Sequence, residues 1–381
     1  MSIRSHIAIL AALSAGLLLA LPTGSQAKGR LRVALVGDPQ VDSEEELSFA
    51  RRTIYRELRE RNDLDLVLVL GDLVNEKPQL IAPSEASLDS IGVPWIRLNG
   101  NHDGPDPVRD TAVTAGGVRF ILMDNVRRVK RRGYEGGFNE RQKHWLDSTV
   151  RATPAKTPLV LCAHIPFSEM RGRDSLANIL AGREKVLLVC AHLHQVYRSI
   201  LWKGIEELNA GATCGSWWRG HRDERGIPSA LMNCGAPRGY YTADFRPARQ
   251  KWYDLSFKAV DRDDEASAWL DGDRLIVNVF GGSPEGDVTV RAGGRALKAR
   301  HSYEPAPECL QVIGWNHSKT REYRKAHKSE FIPMRRISSP HIWSVEGFGG
   351  TAGDEVTVVY RDRNMKSVSR IFVADKPEIQ L

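Results

Sequence analysis

Six side chains able to hold a divalent cation stand directly after apolar segments of the 381-residue chain. Asp38 follows Leu31–Val36, Asp72 follows 64–70, Asn101 follows 93–98, His164 follows 159–163, and His192 and His194 follow 186–191. Carboxylate, imidazole and amide oxygen together, without cysteine, suit borderline-to-hard divalent ions: Mn, Fe, Zn or Mg. Two such ions about 3.5–4 Å apart can share one carboxylate and a hydroxide that attacks phosphorus in line. The shared carboxylate should come from a central strand, and Asp72 is the natural choice. His192 and His194 are two residues apart; an extended segment points both to one side, whereas a loop could aim them at neighbouring ions. Each residue alone has an ordinary explanation, an Asp as a turn or helix cap and a His as a satisfied interior group. The repetition at five strand ends does not.

The elements that must position them alternate. Short apolar segments at 31–36, 64–70, 93–98, 118–123, 159–163 and 186–191 are separated by helical patterns at 44–61 and 139–150. That alternation indicates an α/β sheet covered on both faces, and in such folds ligands bind where strands end. After residue 245 the pattern changes to short β-rich segments at 275–280, 288–291, 310–313, 341–345, 355–360 and 369–373, with Gly, Asp and Pro turns between. These read as a small all-β sandwich, with the linker inside 246–264.

The net charge of +7, from 54 Lys+Arg against 47 Asp+Glu, favours anionic partners but is too mild for nucleic acid as the main one. Arg4, the apolar run from Ile7 to Leu21, and Ser25-Gln26-Ala27 describe a cleavable export signal over 1–27. The expected mature chain is periplasmic or secreted and has no stable membrane span. It divides into 28–245 and 246–381. Cys162 and Cys190 read as core residues, Cys214 and Cys234 could pair, and Cys309 is left over.

Gly37-Asp38-Pro39-Gln40, Gly71-Asp72, Gly100-Asn101-His102-Asp103, Ala163-His164-Ile165-Pro166 and Ala191-His192-Leu193-His194 resemble the five ordered blocks of the calcineurin-like metallophosphoesterases. Gln142, Trp145 and Leu146 are similar to the helix between the third and fourth blocks. Gly211, Gly215-Ser216-Trp217-Trp218, 223–228 and 237–240 resemble a bacterial subgroup with a β-rich C-terminal domain. The resemblance implies a two-sheet α/β sandwich, and dinuclear metal-dependent hydrolysis of a phosphate ester by a metal-bridging hydroxide. Asp38, Asp72 and His194 would hold one ion, and Asp72, Asn101, His164 and His192 the other. His102 would contact the phosphate or protonate the leaving oxygen, with Asp103 orienting it. Gln40 stands where the family usually has a histidine; its amide oxygen is a weaker, harder ligand, so the first ion would bind less tightly or differ in kind. Ala191 replaces the usual Gly of the fifth block.

Substrate clues are fewer. Arg127, Arg128, Lys130, Arg131 and Arg132 form a basic run that could draw a polyanionic or membrane-associated phosphate ester, or be a solvated loop. Trp217, Trp218, His221 and Arg222 could line the cleft or form a domain interface, and Asn75 could touch substrate or form a turn. Monoester and diester substrates both stay open. The rival reading is a cell-envelope binding protein with a catalytically weak phosphate-binding scaffold, in which Trp269, Trp315 and Trp343 of the β-rich part stack on sugars.

Overall fold

The computed structural model describes residues 29–104, 110–130 and 133–376. The expected signal segment 1–27, and Arg131 and Arg132 of the basic run, lie outside the described residues. In chain order the strands of the α/β part are β1 (Leu31–Val36), β2 (Leu66–Val69), β3 (Trp95–Arg97), β4 (Thr111–Ala115), β5 (Val118–Leu122), β6 (Val126–Val129), β7 (Gly133–Gly136), β8 (Leu159–Cys162), β9 (Val186–Cys190), β10 (Val196–Trp202), β11 (Ile205–Ala210), β12 (Gly239–Phe245) and β13 (Tyr253–Ala259). Helices α1 (Glu44–Arg52), α2 (Ile54–Glu60), α3 (Ile81–Asp89), α4 (Glu140–Ala152) and α5 (Arg173–Ile179) run between them.

Two sheets result, of order β13-β12-β1-β2-β3 and β10-β11-β9-β8-β5-β4. Pairing is parallel among β1, β2 and β3 and among β5, β8, β9 and β11, which requires crossover connections and places those strand ends on common edges. The strand period of two then sorts the side chains. Phe120, Leu122, Val160, Cys162, Leu187 and Val189 share a core with β1, β2 and the α1–α2 pair. Their neighbours Ile121, Leu159, Leu161, Leu188 and Cys190 pack instead with Leu146 and Val150 of α4 and Leu176 of α5. Each buried Leu, Val or Ile contributes about 1.5–3 kcal/mol. Phe120 meets Phe245 across the sheets with ring centroids 5.6 Å apart.

Three sequence expectations change. The helix expected over 44–61 breaks at Thr53, whose hydroxyl donates to the Phe49 carbonyl at 2.7 Å in place of a continuous ladder. The first sheet does not end at 245: β13, inside the expected linker, pairs with β12 along its length. The strand expected at 310–313 lies in helix α6 (Pro307–Ser318), which Pro307 opens at its first position.

The C-terminal part contains β14 (Ala266–Asp271), β15 (Arg274–Val279), β16 (Asp287–Ala292), β17 (Arg295–Lys298), β18 (Arg300–Ser302), β19 (Ile342–Val345), β20 (Glu355–Arg361) and β21 (Lys366–Asp375). Their order is β17-β16-β20-β21-β14-β15-β19-β18. β21 pairs with β20 through Phe372 and with β14 from Val373 onward, so one ladder folds over a shared core. Val288, Val358 and Tyr360 of one half join Val277, Val279 and Trp343 of the other there, giving a nearly barrel-like β domain. Helices α6 and α7 (Arg321–Ala326) are inserted between β18 and β19. A buried polar network ties the two parts: Arg198 of β10 bridges Glu206 of β11 and Asp362, and the Asn364 amide donates to Glu206 at 2.8 Å.

Candidate metal centre

The loops leaving β1, β2, β3, β8 and β9 meet at one edge, and glycine lets them close on each other. A Cβ on Gly100 would stand 2.1 Å from Asp72 Oδ1, and one on Gly71 would stand 2.6 Å from His164 Nδ1. Asp38, Gln40, Asp72, His192 and His194 all take left-handed backbone, at φ of 40°, 41°, 48°, 73° and 52°. Such residues cost about 1–3 kcal/mol each and cluster where side chains must be aimed. Because His192 and His194 are not extended, their spacing does not send them to one side. His192 Nδ1 lies 3.2 Å from His164 Nε2, whereas His194 Nδ1 is held by the Gly215 carbonyl, which leaves its Nε2 as the nitrogen able to face a cation.

His164 is the centre of the cluster. Its Nδ1 is held by the Leu70 carbonyl at 2.9 Å, while its Nε2 lies 3.1 Å from Asn101 Oδ1, 3.2 Å from His192 Nδ1 and 3.3 Å from Asp72 Oδ2. A single proton on Nε2 cannot serve all three; a cation can. Asp38 Oδ2 accepts the His192 N–H at 3.0 Å, but the buried Oδ1 accepts no hydrogen bond and has only the His164 ring at 3.9 Å, a costly state that a metal ion would relieve. The ligand atoms of Asp72, His164 and His192 lie within 4.8 Å of one another. The donor set therefore fits divalent metal.

The electrostatics agree. Burial pushes the Asp38 carboxyl well above its usual range, with His164 opposing and Asp72 adding to the rise. Burial would also raise Asp72, but His164 and His102 hold it down at about 2. Burial would lower His164, yet Asp72 and Asp38 lift it to about 10. Burial, helped by the His164 charge, lowers His192 to about 3 and His194 to about 4, so both offer lone pairs at neutral pH. In the metal-free protein His164 keeps its proton until about pH 10, and an incoming cation must displace it. Metal affinity should thus rise up to about tenfold per pH unit between neutral pH and about 9, with proton release visible by calorimetry in buffers of different ionisation enthalpy. A flat profile would contradict this protonation state.

The other expected site residues divide. His102 donates its backbone N–H to Asp72 Oδ1 at 2.8 Å, and its Nδ1 lies 3.5 Å from Glu76 Oε1. Asp103 does not orient it. Its two oxygens accept the Val74 and Gly100 N–H groups at 3.0 and 2.8 Å, tying together the loops after β2 and β3. Gln40 and Asn75 are neighbours, with their amides 3.5 Å apart. Trp217 packs on the His194 ring at 4.9 Å. Trp218 is instead buried in the core, donating Nε1–H to the Pro39 carbonyl at 2.8 Å under the Arg238 guanidinium. His221 leans edge-on against Trp315 at 4.3 Å, and Arg222 pairs with Glu45 at 2.8 Å, so neither joins the cluster. All five cysteines are buried and free, so Cys214 and Cys234 are not bridged; Cys214 Sγ lies 3.8 Å from both Gln40 Oε1 and His194 Nδ1.

Two residues at the site, Tyr134 and Glu76, were not singled out for it, and Arg128 was expected only as part of a basic run. Of the basic run, Arg127 and Arg128 lie on β6 of the β6–β7 hairpin, where Arg127 pairs with Glu135 at 3.6 Å while Arg128 reaches back to donate to the Asn101 carbonyl at 2.8 Å. Tyr134 sets its ring edge against His192, with centroids 5.5 Å apart. Glu76 faces His102 from the loop after β2. Two short segments around a basic turn, 126–129 and 133–136, were the available signal for this hairpin.

A family model of calcineurin-like phosphoesterase matches residues 31–196, and a model of the C-terminal region of calcineurin-like phosphoesterase matches 207–367. A probable glycerophosphodiester phosphodiesterase from Arcobacter nitrofigilis is 26% identical over 218 residues, 47% of this chain and 77% of the relative. Among solved structures, a dimetal phosphatase from Danio rerio is 15% identical at a TM-score of 0.41, covering 65% of this chain and 95% of its own. A 5'-nucleotidase from Candida albicans is 8% identical at a TM-score of 0.34, covering 91% and 90%. With both family models matched in order along its two parts, the chain belongs to the calcineurin-like phosphoesterases, metal-dependent hydrolases of phosphoesters whose members use a dinuclear divalent centre.

Proposed function

We propose that the chain hydrolyses phosphodiesters at a dinuclear divalent-metal centre. The observation that carries the reading is the crowding of Asn101, His192 and Asp72 about the His164 Nε2, together with a buried Asp38 Oδ1 that accepts no hydrogen bond. Asp38, Gln40, Asp72 and His194 would hold one ion, and Asp72, Asn101, His164 and His192 the other. When bound, the two ions supply the Lewis acidity that activates water and neutralises phosphoryl charge. Asp72 would be shared by the two sets, and it stays ionised at neutral pH. Gln40 offers a neutral oxygen in place of an imidazole, so its ion binds more weakly than its neighbour. Arg128 fixes the Asn101 backbone, and Tyr134 and Trp217 brace the His192 and His194 rings. His102, with a side chain 26% exposed and its Nδ1 turned to Glu76, carries the proton for the leaving oxygen.

The preference for diesters rests on the Arcobacter relative and is tested with bis(p-nitrophenyl) phosphate against p-nitrophenyl phosphate, with Mn added and then chelated. The diester should turn over faster and only with metal; a monoester preference would reverse the assignment. His102→Gln should lower kcat about 10²–10⁴-fold on an alkyl diester and far less on a nitrophenyl ester, whose leaving group needs no proton. Equal losses on both would remove His102 from proton transfer.

We also infer export, supported by the basic, apolar and small-residue order of 1–27. Mass spectrometry of the mature chain should find Lys28 near its start, and an intact leader would contradict processing. Among the described residues no helix is long and apolar enough to cross a membrane.

A further inference from the structure

Between the 220–237 segment and α6 lies a cavity of about 460 Å³. That is within the size range of small-molecule sites. Its walls include Trp269, Phe280 and Trp315, and its charged groups are Glu308, Glu330 and Arg262. None belongs to the catalytic cluster.

Glu308 gives the cavity its character. Its Oε1 accepts from the Trp269 indole N–H at 3.0 Å and from the Ser267 hydroxyl, and its Oε2 accepts from the Asn278 amide at 3.1 Å. Burial pushes this carboxyl up, and the three donors oppose the rise. All three are neutral. They orient the carboxylate and favour its charged form, but none cancels its charge. Trp269 binds Glu308 through its ring edge, so indole and carboxylate form one fixed unit. The other aromatic walls already show the chemistry they accept: the Lys319 ammonium sits 5.2 Å over Trp315, and the Arg262 guanidinium sits 5.9 Å over Phe280. Arg262 is itself paired with Asp264, so it does not neutralise Glu308. What remains is an aromatic-walled cavity of drug-like size whose buried carboxyl has no ion-pair partner among the described residues.

We propose that this cavity is a binding site for a small organic cation, an alkylated ammonium compound. Glu308 supplies the counter-charge and Trp269 the π face. A strongly hydrated metal cation is disfavoured, because the aromatic walls cannot replace its water ligands. The site is separate from phosphoester hydrolysis, so its failure and that of the hydrolytic reading are distinguishable.

The test is calorimetric titration of the full chain with choline, with its neutral carbon isostere (tert-butyl in place of trimethylammonium) and with glucose. Choline should bind saturably, and the isostere at least about tenfold more weakly. Glu308→Gln and Trp269→Leu should each weaken choline binding by a similar factor while leaving phosphoester turnover and the thermal midpoint near wild type. Equal binding of choline and its isostere, preferential binding of glucose, no saturable choline binding, or choline binding unchanged in Glu308→Gln would each overturn the proposal. Should a variant fail to fold, the wild-type comparison of choline with its isostere decides.

Discussion

Asp72→Asn should reduce kcat/KM by roughly 10³-fold or more, at least about 4 kcal/mol of transition-state stabilisation, with the fold retained. Three features make this loss large. The carboxylate joins two loops of the cluster, accepting the His102 N–H through Oδ1 and facing His164 through Oδ2. It is held ionised by its neighbours, so the substitution removes a full charge at neutral pH. It is also the main reason that His164 keeps a proton so far above the usual imidazole range. With Asp72 neutral, His164 should therefore titrate lower, which limits the penalty of breaking a buried charge pair, otherwise about 3–5 kcal/mol. Kinetics, metal titration and thermal denaturation together read this out. Wild-type turnover in the variant would place the catalytic centre elsewhere.

Gly100→Ala should cost at least about 10²-fold in kcat/KM without removing any polar group. The added methyl would lie 2.1 Å from Asp72 Oδ1 and 2.5 Å from the Asp72 backbone nitrogen. Backbone on one side and a buried carboxylate on the other leave no flexible side-chain end to yield. The loop after β3 or Asp72 itself must move, and with it the His102 N–H bond. A displacement of about 1 Å in a positioned group is enough for a loss of that size. Overpacking should add about 1–3 kcal/mol of destabilisation, measured as a lowered denaturation midpoint. Turnover close to wild type would mean that the two loops do not need their present approach.

The convergence of the candidate ligands was legible because each follows an apolar strand, and parallel strands bring such ends together whatever lies between them. The same logic found β1, β2, β3, β5, β8 and β9. It could not find Tyr134 or Arg128, which reach the cluster from a hairpin that leaves the sheets, where strand periodicity says nothing about direction. Asp103 was misjudged for a related reason: adjacency to His102 suggested a side-chain partner, yet its oxygens are spent on backbone N–H groups of two loops. Trp218 and His221 sit in one aromatic and basic stretch, but left-handed backbone at Trp217 and Trp218 turns successive rings to different surroundings. The run at 310–313 is short and apolar except for Gln311, so only Pro307 and the length of the helix distinguish α6 from a strand. β13 alternates as a strand should, with Tyr253, Leu255, Phe257 and Ala259 buried, but the charged residues between and around them made it read as linker.

The most direct measurement of the dinuclear centre is anomalous diffraction from crystals grown with Mn. Two peaks about 3.5–4 Å apart are expected, one bounded by Asp38, Gln40, Asp72 and His194 and the other by Asp72, Asn101, His164 and His192. No anomalous peak among these side chains, or ordered Mn bound only elsewhere on the chain, would contradict it.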